Sequence, residues 1–535
     1  MSNKKNEAPK ALTHKEIMFV LSGLMVGMLL AALDQTIVST ALKRIVEDFD
    51  GLEHYTWVVT AYLLTSTAST PLYGKISDLY GRRPVFQFAI ITFLIGSFAA
   101  GAATSMTQLI AFRAIQGLGA GGLMSLTFVI IGDLVSPRER GKYQGYFGAV
   151  WGLSSVAGPL LGGYFSDHAQ ILGVTGWRWI FYINLPFGIA ALIITSISLH
   201  IPKVKREHKI DYLGALLLVT GVSALLLGIS VYGPQDGWTT SKTISSLSIA
   251  LVLVLLFLYQ ESRTQEPILP LTLFKNHTFT VTSILGLVIG AGMFGAIVML
   301  PLYLQVVKGD SATSAGLKLI PFMIGIVSMS ITSGKLISKH GRYKRYPILG
   351  LALMTVGLAL LSTLTENTPF WKLSIYAILI GAGLGLSMQT IVIALQNSVD
   401  FKDLGVATSA NTFFRSIGAT IGVALFGTVY ASQLTHNLPI EIAKLKASNP
   451  AALIGATPEK FAALKENTAV LQTFTPELQV GIVHAFVNSF HTVFLTAAPI
   501  TAVGFLVAFL LRETPLRTSA AHHAAKEEAS GEAIG

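Results

Sequence analysis

Long apolar segments alternate with short polar ones along most of the chain. A helix needs about 20 residues to cross the ~30 Å hydrocarbon layer of a membrane, and segments of that size recur fourteen times. They cover residues 17–42, 54–73, 84–103, 108–131, 142–163, 178–200, 211–232, 243–261, 279–304, 314–337, 346–364, 371–395, 405–431 and 484–511. The pattern predicts an all-α polytopic membrane protein with fourteen transmembrane spans.

Composition and charge agree with a membrane protein. The 535 residues are 52% hydrophobic and only 12% charged, whereas a soluble domain is roughly 25% charged. The net charge of +10 does not indicate a nucleic-acid partner, because the basic residues lie in short loops between apolar segments. This positive-inside pattern predicts a cell-membrane (inner-membrane) protein with both termini in the cytoplasm. The first apolar segment is too long for a cleaved signal peptide.

Enzymatic and metal chemistry are not indicated. The chain has no cysteine, and its twelve histidines are scattered without a metal-binding spacing. We therefore expect no catalytic residues, no metal and no cofactor. His484 and His491 lie seven residues apart in the last span; they are either ordinary interfacial residues or part of a proton relay.

An internal repeat divides the chain. Residues 74–82 and 334–342 both begin with Gly-Lys and place Gly-Arg seven residues later, each after a predicted span. Spans five and thirteen carry glycines at matching spacings, namely Gly141, Gly158 and Gly163 in one and Gly405, Gly422 and Gly427 in the other. The repeat predicts two parallel six-helix halves, with spans seven and eight inserted between them and a substrate site at the midplane.

The predicted organisation has five regions. They are a cytoplasmic N-tail (1–16), an N-terminal half (17–200), a basic inner loop with the two inserted helices (201–277), a C-terminal half (278–511) and a disordered cytoplasmic tail (512–535). The extracellular segment 432–483 is long for a loop. It is expected to hold short amphipathic helices that begin at Pro439 and Pro458, either as an external cap or as a solvated spacer.

Two residues of opposite charge, Asp34 and Arg113, lie at similar depths inside predicted spans of the N-terminal half. Asp34 lies about eight residues, or ~12 Å, from the outer end of span one, and Arg113 about six residues, or ~9 Å, from the outer end of span four. Burying a charge in hydrocarbon costs at least ~2.5–3.5 kcal/mol, so such residues are functional candidates. We expect the two side chains to meet and the carboxylate to exchange a proton when water reaches it; the alternative is a static ion pair.

Four stretches resemble motifs of one family. They are residues 33–38 in span one, 113–122 in span four, 154–163 in span five and the inner loop 74–83. On these motifs the chain resembles the major facilitator superfamily, in its fourteen-spanner drug:proton antiporter branch, over about residues 17–431. Residues 176–186 and 300–305 also resemble this branch.

The resemblance implies roles for individual residues. Asp34 and Arg113 would couple transport to protons. A conformational latch at the inner surface is expected from Gly74, Asp78, Gly81, Arg82 and Arg83, although the arginines could serve only to orient the protein. The antiporter kink in span five is expected from Gly158, Pro159, Gly162 and Gly163, with Ser154 where the family has Gly; an architectural bend is the alternative. Ser338 replaces Asp78 in the second copy, which predicts a weaker latch there.

A substrate cavity is expected between the halves. A pocket for lipophilic compounds is mostly apolar with few polar groups, and the candidate lining residues are Tyr62, Gln305, Gln389, Asn411, Phe414 and Arg415. Arg415 lies near the midplane of span thirteen and is either functional or a structural residue bonded to backbone carbonyls.

The function that follows is a proton-coupled antiporter that exports amphiphilic drugs or toxic compounds by alternating access. Its expected partners are small amphiphilic substrates, including lipophilic cations, together with protons and membrane lipids, and the expected state is a monomer. Because Asp34 is the only acid well inside a span, one proton per substrate is expected and polycations should be poor substrates. The alternatives are a dedicated exporter of one metabolite, lipid or siderophore, and a non-transporting membrane sensor or scaffold.

Overall fold

The chain is almost entirely helical in the computed structural model, which describes residues 13–49, 55–199, 211–453, 456–457, 460–461 and 468–517. The first helices are α1 (His14–Phe49), α2 (Tyr55–Tyr80), α3 (Arg82–Ala102), α4 (Met106–Leu134), α5 (Pro137–Asp167), α6 (Trp179–Tyr182) and α7 (Asn184–Ser198). Next come α8 (Tyr212–Leu227), α9 (Gly233–Asp236) and α10 (Ser241–Arg263). The last are α11 (His277–Val306), α12 (Ala312–Leu317), α13 (Ile320–His340), α14 (Arg345–Leu361), α15 (Phe370–Ser398), α16 (Leu404–Ser448) and α17 (Pro476–Ala508).

Short irregular elements join some of these helices. Strands β1 (Gln170–Ile171) and β2 (Val174–Thr175) form a small antiparallel hairpin between α5 and α6. Its turn places Leu172 at φ 50° and Gly173 at φ 77°. Single 3-10 turns lie at Gly176–Arg178, Leu271–Lys275, Phe401–Asp403, Pro450–Leu453 and Thr468–Thr473, and a π-helical turn at Gly228–Tyr232 joins α8 to α9.

Polar residues at the loops start the helices. The side chains of Ser105 and Thr240 accept hydrogen bonds from the free N–H groups at the starts of α4 and α10. Asn276 does the same for α11. These side chains satisfy amide groups that have no partner within the helix, so the boundaries fall where the apolar runs end.

Eleven helices in the described part of the chain are long and apolar enough to cross a membrane. Each of the fourteen predicted segments falls on helix. However, α2 and α5 are rich in Ser, Thr, Gly and Tyr, and α14 has only 17 residues, so these three are not among the eleven. The structure therefore establishes an all-helical membrane architecture, and the count of fourteen spans stays a prediction.

Equivalent helices pack alike in the two parts of the chain. Gly158 of α5 lies against Thr36 of α1, and Gly422 of α16 lies against Ala291 of α11. Glycines of α4 pack in the same way on α2 and α3 as glycines of α15 pack on α13 and α14; the residues are Gly117, Gly119 and Gly121 in α4 and Gly381, Gly383 and Gly385 in α15. Small residues allow this close approach of helices where lipid supplies no hydrophobic driving force.

The two parts pack closely at the end of the bundle that carries the loops 74–83, 132–142 and 335–345, which is called here the basic end. They also touch through α5 and α12, towards the other end of α5. At the basic end the backbone of Gly141 in α5 meets the backbone of Gly334 in α13. In the equivalent contact, Gly74 of α2 faces Ser409 and the carbonyl of Gly405 in α16. The paired glycines close the basic end in this conformation.

The segment after residue 431 differs from the prediction. Helix α16 continues unbroken to Ser448, with Pro439 inside it, so the expected separate helix beginning at Pro439 is wrong. Leu434 and Leu438 are buried in the main core, and Asn437 donates a 3.3 Å hydrogen bond to Ser489 of α17. This packing offsets the single hydrogen bond that proline removes. The second expected helix, from Pro458, lies mostly outside the described residues.

The start of the C-terminal tail is ordered, which corrects the prediction of disorder for residues 512–517. Asn397, at the end of α15, donates 3.0 and 3.1 Å hydrogen bonds to Thr514 and to the Pro515 carbonyl, and accepts one from the Arg517 N–H. The Tyr343 hydroxyl donates to the Arg512 carbonyl. The tail therefore lies against α15 and the start of α14; residues 518–535 and the N-tail up to residue 12 lie outside the description.

Replacing Gly334 with Ala tests the glycine contact. The added Cβ would overlap the carbonyl oxygen of Gly141, which no side-chain rotation can relieve. We expect a loss of about 1–3 kcal/mol of stability, seen as a lower thermal unfolding temperature of the purified protein in detergent. Gly427→Ala is the matched control, because nothing lies within 4 Å of that position and Ala favours helix. Equal effects of both substitutions would contradict the proposed role of the contact.

Candidate functional site

The structure brings Asp34 of α1 and Arg113 of α4 together in the interior. A guanidinium nitrogen of Arg113 donates a 2.5 Å hydrogen bond to Asp34 Oδ2, and the two side chains are 0% and 1% exposed. Gln116, one turn after Arg113, donates at 2.8 Å to Asp34 Oδ1 and accepts at 2.7 Å from Arg113. Asn184 of α7 approaches the same Oδ1 at 3.5 Å. A closed polar cluster of four residues therefore surrounds one carboxylate.

Aromatic rings and backbone seal this polar cluster. The Tyr62 ring lies 4.2 Å from the Arg113 guanidinium carbon, and its hydroxyl donates to the Ala31 carbonyl. Arg113 Nε also donates to the Val58 carbonyl at 3.2 Å. The cation is thus stabilised by a ring face, a carbonyl and a carboxylate at once. In this conformation the carboxylate is shielded from bulk water.

Sequence reasoning missed two members of the cluster. Gln116 was part of the family-like stretch, but its direct bond to the carboxylate was not predicted. Asn184 lies in the family-like stretch 176–186 without a predicted role, whereas it bonds Ser97 at 3.0 Å and approaches Asp34. The signal that could have found both is a polar amide at the depth of a buried charge, where it needs a partner.

A second charge cluster lies at the basic end. Arg82 binds Asp78 at 2.5 Å and Asp133, a residue of α4 that was not predicted, at 2.6 Å. The Asp78 carboxylate also faces Gly405 in the first turn of α16, so it lies between the two parts of the chain. Burial raises the pKa of Asp78 to about 6, although Arg82 opposes the shift.

The other predicted latch residues have distinct places. Gly81 caps α3 at φ 96°, a conformation that disfavours side chains. Gly74 makes the contact with α16 described above. Among the described residues Arg83 forms no ion pair, so it is not part of the charge cluster.

The second copy of the latch loop, residues 334–342, makes different contacts from the first copy. The Ser338 hydroxyl has no partner, and only its carbonyl accepts a 3.3 Å hydrogen bond from Arg138. The buried connection there is Arg140 of α5, which binds Gln396 of α15 at 3.0 Å and the Gly132 carbonyl. Burial lowers the pKa of Arg140 to about 9. This link was not predicted from the sequence.

The family-like stretch of span five lies against α1. Gly158 and Gly162 face Thr36 and Thr40, and Thr36 donates a 2.9 Å hydrogen bond to the Ser154 carbonyl. Pro159 lies inside α5 and contacts Gly316. Gly163 faces Thr313 of α12, in the C-terminal half. Through these contacts α5 packs directly on α1, the helix that carries Asp34. The contact at Thr36 lies two residues after Asp34 along α1.

A cavity of about 60 Å³, open on one side, lies between α1, α2, α4, α5, α11 and α16. Arg415 lines it as predicted, and Gln389 lines a smaller neighbouring cavity. The other four candidates do not line the main cavity. Tyr62 packs on Arg113, Asn411 donates to the Thr282 carbonyl at 2.8 Å, Phe414 packs on Phe274 and Phe413, and Gln305 is half-buried elsewhere.

The two histidines of α17, His484 and His491, lie in different environments. His484 binds Glu366 at 3.1 Å. A backbone hydrogen bond lowers the pKa of Glu366, and the contact with His484 adds to this. His491 is exposed. The two therefore lie on α17 without a connection in the described residues, which gives no support to a relay.

The chain is similar in sequence to one protein family and to two named relatives from one bacterium. A family model described as Major Facilitator Superfamily matches residues 24–423. "Multidrug transporter protein MdtP" of Bacillus subtilis (strain 168) is 36% identical, with 96% of each chain covered. "Multidrug resistance protein 3" of the same organism is 36% identical, with 91% of this chain and 95% of the relative covered.

The fold is similar to solved transporter structures. A proton:xylose symporter, XylE, superposes with a TM-score of 0.59 at 14% identity, covering 96% of this chain and all of the other. The human organic anion transporter MFSD10 gives a TM-score of 0.57 at 15% identity, covering 90% of this chain and 99% of the other. At these identities the likeness concerns the fold alone. The family match and the two Bacillus relatives together show that the chain belongs to the Major Facilitator Superfamily, a family of membrane transporters and not of enzymes.

Proposed function

We propose that the protein is a proton-coupled antiporter that exports amphiphilic drugs or toxic compounds across the cell membrane by alternating access. The observation that carries this proposal is the single carboxylate of Asp34, enclosed by Arg113, Gln116 and Asn184 with 0% exposure. The printed names of the two Bacillus relatives concern multidrug transport, which supports an amphiphilic substrate.

Protonation of Asp34 would change the polar cluster in a defined way. The ionised carboxylate only accepts hydrogen bonds, and its surroundings offer donors from Arg113, Gln116 and Asn184. A proton on either oxygen would oppose one of these donors and leave the Arg113 charge buried without its counterion, which is costly. The protonated form would therefore favour another arrangement of α1 and α4, a population shift set by the proton.

Helix α5 connects the surroundings of Asp34 with the contact between the two parts of the chain at the basic end. Helix α5 contacts α1 beside Asp34 through Gly158 and Gly162, and it contacts α13 at the basic end through Gly141. One helix thus touches both the proton site and the interface that must open. With the basic end placed in the cytoplasm by the positive-inside pattern, the present conformation is closed to the cytoplasm.

Dedicated export of one metabolite is a second candidate. A relative from Aspergillus aculeatus, 33% identical over 96% of this chain, is named "Acurin A biosynthesis cluster MFS-type transporter". The same proton site would serve either substrate range, so a panel of structurally unrelated compounds in a resistance assay separates the two.

The Asp34→Asn variant tests proton coupling. Asn keeps the shape of the side chain but cannot ionise, so efflux driven by an imposed pH gradient should fall to the rate of empty liposomes. The measurement uses purified protein in proteoliposomes, with a cationic dye (ethidium) and an anionic dye (fluorescein) as substrates in parallel assays. Asp236→Asn is the control, because Asp236 is exposed and pairs only with Lys242 at the surface among the described ion pairs. Undiminished pH-driven transport by Asp34→Asn would refute the assignment.

Asp78 is expected to make closure of the basic end depend on pH. Its pKa is about 6 in the closed conformation, and a hydrated aspartate has a pKa near 3.9. The closed form therefore binds the proton more tightly, so this group favours closure as pH falls below about 6 and the effect is lost as pH rises through 6. Asp78→Asn should remove this dependence.

The closure can be followed with spin labels. The chain has no cysteine, so labels at Tyr80→Cys and Lys402→Cys, both exposed at the basic end, report the distance between α2 and the turn before α16. The closed population should rise between pH 7 and pH 5. A rise of the same size in the Asp78→Asn background would assign the pH response to another group.

A further inference from the structure

Arg415 is a buried cation with no counterion. It is 6% exposed, and it forms no ion pair or hydrogen bond within the described part of the chain; its NH1 nitrogen is buried without a partner. Its one recorded partner is the Phe128 ring, 5.6 Å from the guanidinium carbon. The alternative of a structural arginine bonded to backbone carbonyls therefore has no contact to support it.

Arg415 lines the cavity between the two parts of the chain. Arg415 is the only charged residue among those that line the cavity, and no acidic residue lines it. Asp34, the acid buried in the N-terminal half, is already paired with Arg113 and Gln116. A guanidinium left unpaired in a low-dielectric site is costly unless a ligand or water supplies the missing acceptors.

A second donor faces the same space. Trp151 of α5 also lines the cavity, and its buried indole N–H has no hydrogen-bond partner among the residues that the structure describes. Trp151 lies ten residues after Gly141 in α5, as Arg415 lies ten residues after Gly405 in α16, so the two donors hold equivalent positions in the repeat. Met124, Met293 and Leu63 supply apolar surface between them.

We infer that the cavity binds amphiphilic organic anions, with the acidic group held by Arg415 and Trp151 and the apolar body on the methionines. This inference rests on the proposed function, since it names the class of compound that the same cavity would take. It departs from the expectation of lipophilic cations, because a cation placed here would face an uncompensated positive charge. A carboxylate or sulfonate supplies several acceptor oxygens, which match a guanidinium fork.

The test compares two dyes of similar body and opposite charge. Fluorescein is an anion and rhodamine 123 a cation at neutral pH, and both share a xanthene ring. Binding to the purified full-length protein in a neutral detergent is measured by fluorescence anisotropy. We expect wild-type protein to bind fluorescein more tightly, and Arg415→Gln to weaken fluorescein at least about tenfold, the size of a lost charge-assisted hydrogen bond.

Matched variants separate charge from structure. Arg415→Lys keeps the charge and should retain most fluorescein binding, whereas Arg345→Gln removes an exposed charge at the basic end and should change nothing. Rhodamine 123 should bind Arg415→Gln as well as or better than wild type. Gel filtration and thermal unfolding verify that each variant is folded.

Two results would overturn the inference. One is wild-type protein that binds rhodamine 123 but not fluorescein, or neither dye; the other is an equal loss of both dyes in folded Arg415→Gln. The proposed function is tested apart from this, by pH-driven transport in proteoliposomes. Anion binding without pH-driven transport would leave the cavity assignment intact and refute the antiporter, while pH-driven cation export with no anion binding would do the reverse.

Discussion

The buried pair of Asp34 and Arg113 is the interaction on which the arrangement of the N-terminal half depends. Neither charge is tolerable alone in an apolar interior, so α1 and α4 must lie where the two side chains meet. Gln116, Asn184 and Tyr62 then complete the surroundings of the pair. In this arrangement of helices the Asp34 carboxylate accepts hydrogen bonds from Arg113 and Gln116. A proton added to the carboxylate would oppose one of these bonds. Such a cluster has the properties of a two-state element.

The two halves share packing but not chemistry. Arg113 precedes Gly117 by four residues, and the residue that precedes Gly381 by four is Ala377, so the second half has no intramembrane charge at that position. Conversely, the cavity cation Arg415 corresponds to the neutral Trp151. The repeat thus keeps the glycine contacts that fix helix positions, while the buried ion pair of Asp34 and Arg113 lies in one half and the cavity charge of Arg415 in the other.

The sequence located features that depend on local composition. Each of the fourteen predicted apolar runs falls on helix, and the charges at Asp34 and Arg113 stood out because hydrocarbon excludes them. Features that depend on helix rotation were not predictable: Tyr62 and Asn411 were expected to face the cavity, yet they face Arg113 and α11. Helix α16 passed through Pro439 because of burial against α17, and the tail at 512–517 was ordered by Asn397 and Tyr343. Both outcomes follow from tertiary contacts that a single sequence does not display.

Helix α16 has a mechanical consequence beyond the bilayer. Its 45 residues make a rod roughly 68 Å long, more than twice the ~30 Å thickness of the hydrocarbon. The rod begins at the basic end beside Asp78, passes Arg415, and projects well past the opposite membrane surface. Any tilt of this rod is magnified at its far tip, so a binder that immobilised the tip would restrain the movement of the whole helix.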